Sequence, residues 1–368
     1  MRITLTILSL LISVLIGLVI ARGGVPGIVE PVGGPISAAR GAQAPLIGLS
    51  LDTLKEERWQ ADSKLFSKRC QELGAMVRVQ AANGDDTQQA RDVQALLTAG
   101  VDVLVIVPHD GVAMAKAVAM AHEKGVPVIA YDRIIRDCDL DLYLSFDNVR
   151  VGQLQARYLV DHLPTPGKGR IVRIYGAPTD HNAKLFKEGQ DQVLEPYIKS
   201  GDIVVLHEDW AEDWKPENAK RITNAAIVNH GRTFDAVLAS NDGTAGGAIQ
   251  ALSEEGLSGK VLVTGQDAEL AACQRIVAGA QAMTIYKPLE QLASAAAELA
   301  VHLAAGKPVI ANQSVPNGKI DVPAVLRDVV VVTRDNMVQT VIADGFQSYD
   351  DVYRGVPIEQ RPPRPEQK

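Results

Sequence analysis

The sequence predicts an α/β protein made of two similar lobes, each with a largely parallel sheet set among helices. Three observations carry that prediction. Apolar runs of strand length alternate with stretches of helical spacing along most of the chain. Central runs such as "VLVIV" are apolar on both faces, as strands covered by helices on each side must be. The alternation also occurs as two successive series, which suits a pair of lobes better than one large sheet. With 368 residues and 46% hydrophobic content, the chain can fill a core for each.

Taken in order, the first series of strands reads "PLIGLSLD", "MVRVQAA", "VDVLVIVP", "PVIAYDR" and "YLSFD". The second reads "RIVRIYG", "IVVLHED", "DAVLASND", "KVLVTGQD" and "AMTIYKP". Between most of them lie Leu, Val and Ala at helical spacing. After "YKP" the segment "LEQLASAAAELAVHLAAGK" predicts a strong helix ended by Gly306, and "DVVVVT" one further strand. The tail holding Pro362, Pro363 and Pro365 is expected to be disordered.

The N-terminus reads as an address. Ile3 to Ala21 carries no charge, follows Arg2 and ends in small residues where a signal peptidase could cut. A membrane-spanning helix needs about 20 apolar residues, so an uncleaved signal anchor stands beside the cleaved signal peptide as a reading of residues 1–22. Residues 23–44, rich in Gly, Pro and Ala, read as a flexible tether. Export to the periplasm or another extracytoplasmic space is expected, with attachment to the membrane through that segment left open.

Composition narrows the function. A net charge of −7 without any basic stripe argues against nucleic acid as a partner. Cys70, Cys138 and Cys273 lie far apart and read as small buried hydrophobes, with neither a zinc site nor a disulfide framework signalled. There is no GxxxxGK[ST], GxSxG or GxGxxG, and no cofactor is expected. "DCDLDLYLSFDN" opens like a calcium loop at Asp137, Asp139 and Asp141, but Leu142 and Asn148 break the pattern. The histidines are scattered, so no metal is expected.

In open parallel sheets, ligands bind beyond the carboxyl ends of the strands. Large polar residues gather at those exits: Asp132 and Arg133 in "YDR", Asn241 and Asp242 in "SND", Gln266 and Asp267 in "GQD", and Lys287 in "YKP". Asp180 and Asn182 follow "RIVRIYG" closely. The tryptophans Trp59, Trp210 and Trp214 fall in strand-exit segments too, and Arg58 precedes the first of them. Such a set suits a sugar, whose hydroxyls both donate and accept while its C–H faces lie on indole rings.

These residues sit in stretches, "ERWQ", "VQAANG", "GVDVLVIVP", "AYDR", "SFDN", "NAKLF", "ASNDGTAGGAIQAL", "LSGKV", "GQDA" and "TIYKP", through which the chain from about Pro45 to Gly355 resembles the periplasmic sugar-binding proteins of ABC transporters. The resemblance implies a periplasmic binding protein-like I fold, with Rossmann-like lobes joined by a three-crossing hinge. The N-terminal lobe would span 45–148 and 289–325, the C-terminal lobe 149–288 and 326–356, and the tail 357–368. A monosaccharide, D-xylose first, would lie in the interlobe cleft against Arg58, Trp59, Asp132, Arg133, Asp180, Asn182, Trp214, Asn241, Asp267 and Lys287. Asn148 and Pro288 would flex at the crossings, and the closed monomer would deliver its sugar to a membrane permease. The chain departs from the family pattern at His181, where Asn is expected, and in the segment before Pro45.

Plainer readings stand beside these. Asp52, Asp242 and Asp267 would each serve as a helix N-cap, Arg133 as an ion-pair partner of Asp132, and Trp210 as surface packing. A glycosidase could use Asp180 and Asp267, but Arg58, Arg133 and Lys287 would hold those carboxylates ionised, against proton transfer. A sugar-responsive repressor would begin with a helix-turn-helix. A sensor read by a chemoreceptor or kinase would need no change in the site.

Overall fold

The computed structural model describes residues 44–311 and 313–365. The expected export signal, and the expected tether up to Gln43, lie outside the described residues. In the first lobe the strands β1 (Leu46–Leu51), β2 (Met76–Ala81), β3 (Val103–Ile106), β4 (Val128–Tyr131) and β5 (Leu142–Phe146) are joined by β11 (Gln313–Pro316) and β12 (Asp321–Arg327). They form one seven-stranded sheet in the order β11-β12-β5-β4-β3-β1-β2. All pairings are parallel except β11 with β12. Alternation along β3 divides its side chains between two cores. Val103 and Val105 face α1 (Glu57–Glu72) and α9 (Leu289–Ala304), whereas Leu104 and Ile106 face α2 (Asp86–Thr98) and α3 (Ala115–His122). Because both faces are covered, β3, β4 and β5 are buried along their whole length.

The second lobe repeats the plan. Its strands β6 (Gly169–Tyr175), β7 (Ile203–Trp210), β8 (Ala236–Ala239) and β9 (Leu262–Val263) pair in parallel in the order β7-β6-β8-β9. Helices α4 (Asn148–His162) and α5 (His181–Ser200) pack on one side. On the other lie α6 (Pro216–His230) and α7 (Asp242–Glu254). The strand β10 (Thr284–Tyr286) pairs antiparallel with β13 (Val330–Val332). It also bonds the exit of β9 through Ile285 N–H to Gly265 O and Asp267 N–H to Ile285 O, at 3.2 and 2.7 Å. A short helix, α8 (Leu270–Val277), and α10 (Tyr349–Val352) complete this lobe.

Several expectations need correction. The hairpin β11–β12 gave no recognisable strand pattern, since Pro316 and Pro323 interrupt it; β12 pairs with β5 as far as Arg327 opposite Phe146, so the boundary expected at 325 falls inside a strand. The tail expected to be disordered is ordered through residue 365: Ile358–Gln360 form a 3-10 turn, Tyr349 Oη donates to Pro362 O, and Arg364 pairs with Asp350. Asp52, Asp242 and Asp267 are not side-chain caps. The caps are Asp85, Asp147, Asp180, Asn241 and Ser348.

The helices α4 and α5 approach where each has a glycine. A Cβ on Gly152 would lie 2.0 Å from Phe186 O, and one on Gly189 would lie 2.0 Å from Val149 O. Backbone cannot rotate out of the way as a side chain can, so one added methyl must push the helices apart. Gly152→Ala is expected to lower stability by about 1–3 kcal/mol in denaturant unfolding, the usual cost of overpacking; an unchanged midpoint would mean the helices separate freely.

Candidate functional site

The carboxyl ends of both sheets face one another, and the loops leaving them bring every expected site residue onto one cavity. Arg58 and Trp59 occupy the first turn of α1, just past β1. Asp132 and Arg133 follow β4, Asp180 and Asn182 open α5, and Asn241 caps α7. Asp267 follows β9 and Lys287 follows β10. Trp214 ends a 3-10 turn, Glu212–Trp214, after β7. The backbone is left-handed at Asp132, Trp214 and Asp267, with φ of 63°, 56° and 95°. Strained residues of this kind persist where the surroundings fix them, commonly at ligand sites. Gly176 makes room for the indole, since a Cβ there would lie 1.9 Å from Trp214 Cη2.

Buried guanidiniums organise the cavity wall. Arg58 donates to Asp132 Oδ2 at 2.8 Å and to Asp62 Oδ2 at 3.2 Å, and lies 3.6 Å from Asp267 Oδ1 in the opposite lobe. Tyr131 Oη donates to the other oxygen of Asp62. Arg133 donates to Asp52 Oδ2 at 2.7 Å and reaches Asp180 Oδ2 across the cleft at 2.9 Å. The expected Arg133–Asp132 pair is therefore replaced: Arg58 serves Asp132, while Arg133 links Asp52 to Asp180. Trp59 packs under these cations, its ring centroid 4.0 Å from the Arg58 guanidinium carbon and 5.3 Å from that of Arg133. Asn182 donates to Asp132 O and Oδ1, both at 3.1 Å. Trp214 Nε1 donates to Asp180 Oδ2 at 3.2 Å.

The titration of these groups follows their surroundings. Burial pushes Asp132 up, but Arg58, Lys287 and Arg133 together hold it below the usual carboxylate range. Asp52 is held low in the same way, burial being outweighed by His109 and Arg133. Asp180 shifts the other way: burial outweighs Arg133 and leaves it raised. Burial likewise pushes Asp62 up to about 6, and raises Glu56.

Sequence reasoning overlooked some of the lining. Glu56 and Phe186 face the cavity, as does Gln266, which was noticed at its strand exit but not assigned to the site. Phe186 stands edge-on to Trp214, ring centroids 6.3 Å apart. Its position on α5, one turn beyond Asn182, was the available signal. Trp210 is absent from the lining and packs on Tyr175. Among the described residues, the buried cavity atoms without a hydrogen-bond partner are all acceptor oxygens: Glu56 Oε2, Asn182 Oδ1, Gln266 Oε1 and Asp267 Oδ1. An arrangement of open acceptors, cations and indole faces can hold a compact neutral molecule bearing several hydroxyls.

Known proteins share this architecture. Residues 47–308 match the family described as periplasmic binding protein domain. The D-xylose-binding periplasmic protein of Escherichia coli strain K12 is 47% identical over 316 residues, covering 86% of this chain and 95% of that protein. Its namesake in Haemophilus influenzae is 47% identical over 307 residues, covering 83% and 92%. The crystal structure of a carbohydrate transporter solute binding protein from Chloroflexus aurantiacus, in complex with D-glucose, superposes with a TM-score of 0.79 at 36% identity, covering 84% of this chain and 98% of that one. The chain belongs to the periplasmic binding protein domain family.

Proposed function

We propose that this chain is the exported, periplasmic binding component of an ABC sugar transporter, which captures a monosaccharide, D-xylose first, between its lobes and presents it to a membrane permease. The observation that carries this reading is a set of acceptors on the cavity-lining residues that make no hydrogen bond, Glu56 Oε2, Asn182 Oδ1 and Gln266 Oε1, with Asp267 Oδ1 held only by ion pairs to Arg58 and Lys287 at 3.6 and 3.5 Å, beside the indoles of Trp59 and Trp214. Hydroxyl protons would satisfy those oxygens, and each charged acceptor strengthens its bond. Among the lining residues the acids Glu56, Asp132, Asp180 and Asp267 outnumber the bases Arg58, Arg133 and Lys287, which favours a neutral sugar over a sugar acid or phosphate. The name carried by relatives 47% identical supports D-xylose.

The reading is of a binder that performs no chemistry. A glycosidase needs one carboxyl to give a proton and another to attack or activate water. Here Asp180 is tied to Arg133, Trp214 and the Asn182 backbone N–H, and Asp267 lies 3.6 Å from Arg58 and 3.5 Å from Lys287. In the open form each lobe would offer half of the site. The crossings near Asn148, Pro288 and beyond Arg327 would absorb the rotation, with Lys287 joining from the hinge. The closed monomer's surface would then be what the permease reads.

Isothermal titration with D-xylose, D-ribose, L-arabinose, D-glucose and D-galactose, followed by product analysis, tests this. Saturable 1:1 binding of xylose without turnover is expected; no binding by any of these sugars, or cleavage of a glycoside, would overturn the reading. D-glucose belongs in the panel because the Chloroflexus aurantiacus protein holds it. Trp214→Ala is expected to weaken binding by about 1–3 kcal/mol, the scale of a lost stacking platform. Gly176→Ala should weaken it too, because the new methyl would occupy the space of the indole.

A pH dependence follows from His181, whose ring nitrogens lie 3.0 and 3.3 Å from Arg136 of the opposite lobe. Burial, with Arg136 and Lys184, pushes its pKa down to about 4 from 6.5. The closed form therefore binds fewer protons than an open form in which the imidazole is free. Closure is fully supported above about 6.5 and opposed as pH falls toward 4, by at most about tenfold per unit. Titration at stepped pH should show affinity falling over that range, and His181→Asn should flatten the profile.

A further inference from the structure

Glu57 stands between the cavity-lining residues Glu56 and Arg58 but faces away from the cavity. Its carboxylate reaches the opposite lobe. Oε2 accepts from the backbone N–H of Leu270 at 3.1 Å, and Oε1 accepts from Gln347 Nε2 at 3.0 Å. Leu270 is the first residue of α8, and the N-cap residue of that helix, Glu269, makes no side-chain cap bond of its own. Gln347 is itself held in place, donating also to Ala268 O at 3.3 Å. A helix N-terminus carries unsatisfied N–H groups and partial positive charge, and a carboxylate there supplies both an acceptor and the matching charge.

We propose that Glu57 is a positioning residue for closure, an interlobe latch in which the first lobe caps a helix of the second only when the lobes are shut. It rests on the sugar-binding reading for its role, since it would act on affinity without touching the ligand. The latch is attached directly to the recognition residues: the turn that brings Arg58 to within 3.6 Å of Asp267 is the turn that seats Glu57 on α8. When the lobes part, Leu270 N–H and the Glu57 carboxylate each return to water, so the contact stabilises the closed form alone. By the population-shift relation, anything that favours the binding-competent form lowers the apparent dissociation constant by the same factor.

The test compares full-length wild type, Glu57→Ala and Glu57→Gln. The interlobe distance is read by electron–electron double resonance between spin labels on Lys116→Cys and Val228→Cys; both positions are exposed, one on each lobe, and the native cysteines are buried. In the absence of sugar, Glu57→Ala should shift the distribution toward the open form, and its xylose affinity should fall about fivefold, the scale of an ordinary N-cap. Glu57→Gln keeps an acceptor oxygen but no charge and should lie between the other two. Thermal unfolding of sugar-free Glu57→Ala should match wild type, which separates a latch from a merely structural role. Unchanged distance distributions together with wild-type affinity would overturn the latch. If wild type binds none of the sugars, the transporter reading fails, while the sugar-free distance comparison still decides the latch.

Discussion

The structure depends on the pairing of buried guanidiniums with carboxylates drawn from both lobes. Arg58 and Arg133 are almost wholly buried, and moving such a charge out of water costs several kcal/mol unless its hydrogen bonds are satisfied. Each meets that demand partly at home, Arg58 with Asp62 and Asp132, Arg133 with Asp52, and partly across the cleft, with Asp267 and Asp180 respectively. Removing the far carboxylates would leave cations with fewer partners but more water. Under the proposed closure, the balance between those conditions would be what lets a ligand decide between the two forms.

Much of the fold was legible because its physics is local. Parallel strands covered on both faces must be continuously apolar, and "VLVIV" could be little else. The strand exits were legible for a related reason: Asp132, Arg133, Asn241 and Asp267 interrupt apolar runs where a sheet ends, so their polarity marks the ligand face. The hairpin β11–β12 escaped because prolines hide its alternation, and because its place beside β5 is set by tertiary pairing with distant chain. The partner of Asp52 was hidden similarly. A strand-end Asp looks like a cap in sequence; that Asp52 instead holds Arg133 follows from the adjacency of β1, β3 and β4, which no local pattern encodes.

Residues often did double duty, and this blurred the sequence signal without erasing it. Asp180 and Asn241 are helix caps and cavity residues at once, so the plain and the functional readings are both correct for them. The capping bond uses one acceptor direction and leaves the rest of the side chain aimed at the cleft, while the helix N-terminus behind it lends positive potential. Asp132 shows the same economy. Its backbone carbonyl accepts from Tyr143 Oη and Ser145 Oγ, which fixes the left-handed turn, while its carboxylate faces Arg58 and Asn182.

That rigidity bears on what the cavity can select. The left-handed turn at Asp132 is held by Tyr143 Oη and Ser145 Oγ, that at Asp267 by its N–H bond to Ile285 O, and Asn182 by its bonds to Asp132, so in the closed form these side chains are fixed in orientation. A hydroxyl that meets one of them gains a bond at little entropic cost, whereas an epimer that misses leaves a buried oxygen unpaired, at roughly 1–3 kcal/mol. The donors already engaged with carboxylates cannot turn to rescue the mismatch without breaking an interlobe pair. Discrimination in such a site would therefore come from acceptors with little freedom to move, Asp180 and Asp267 being held by the ion pairs that span the lobes.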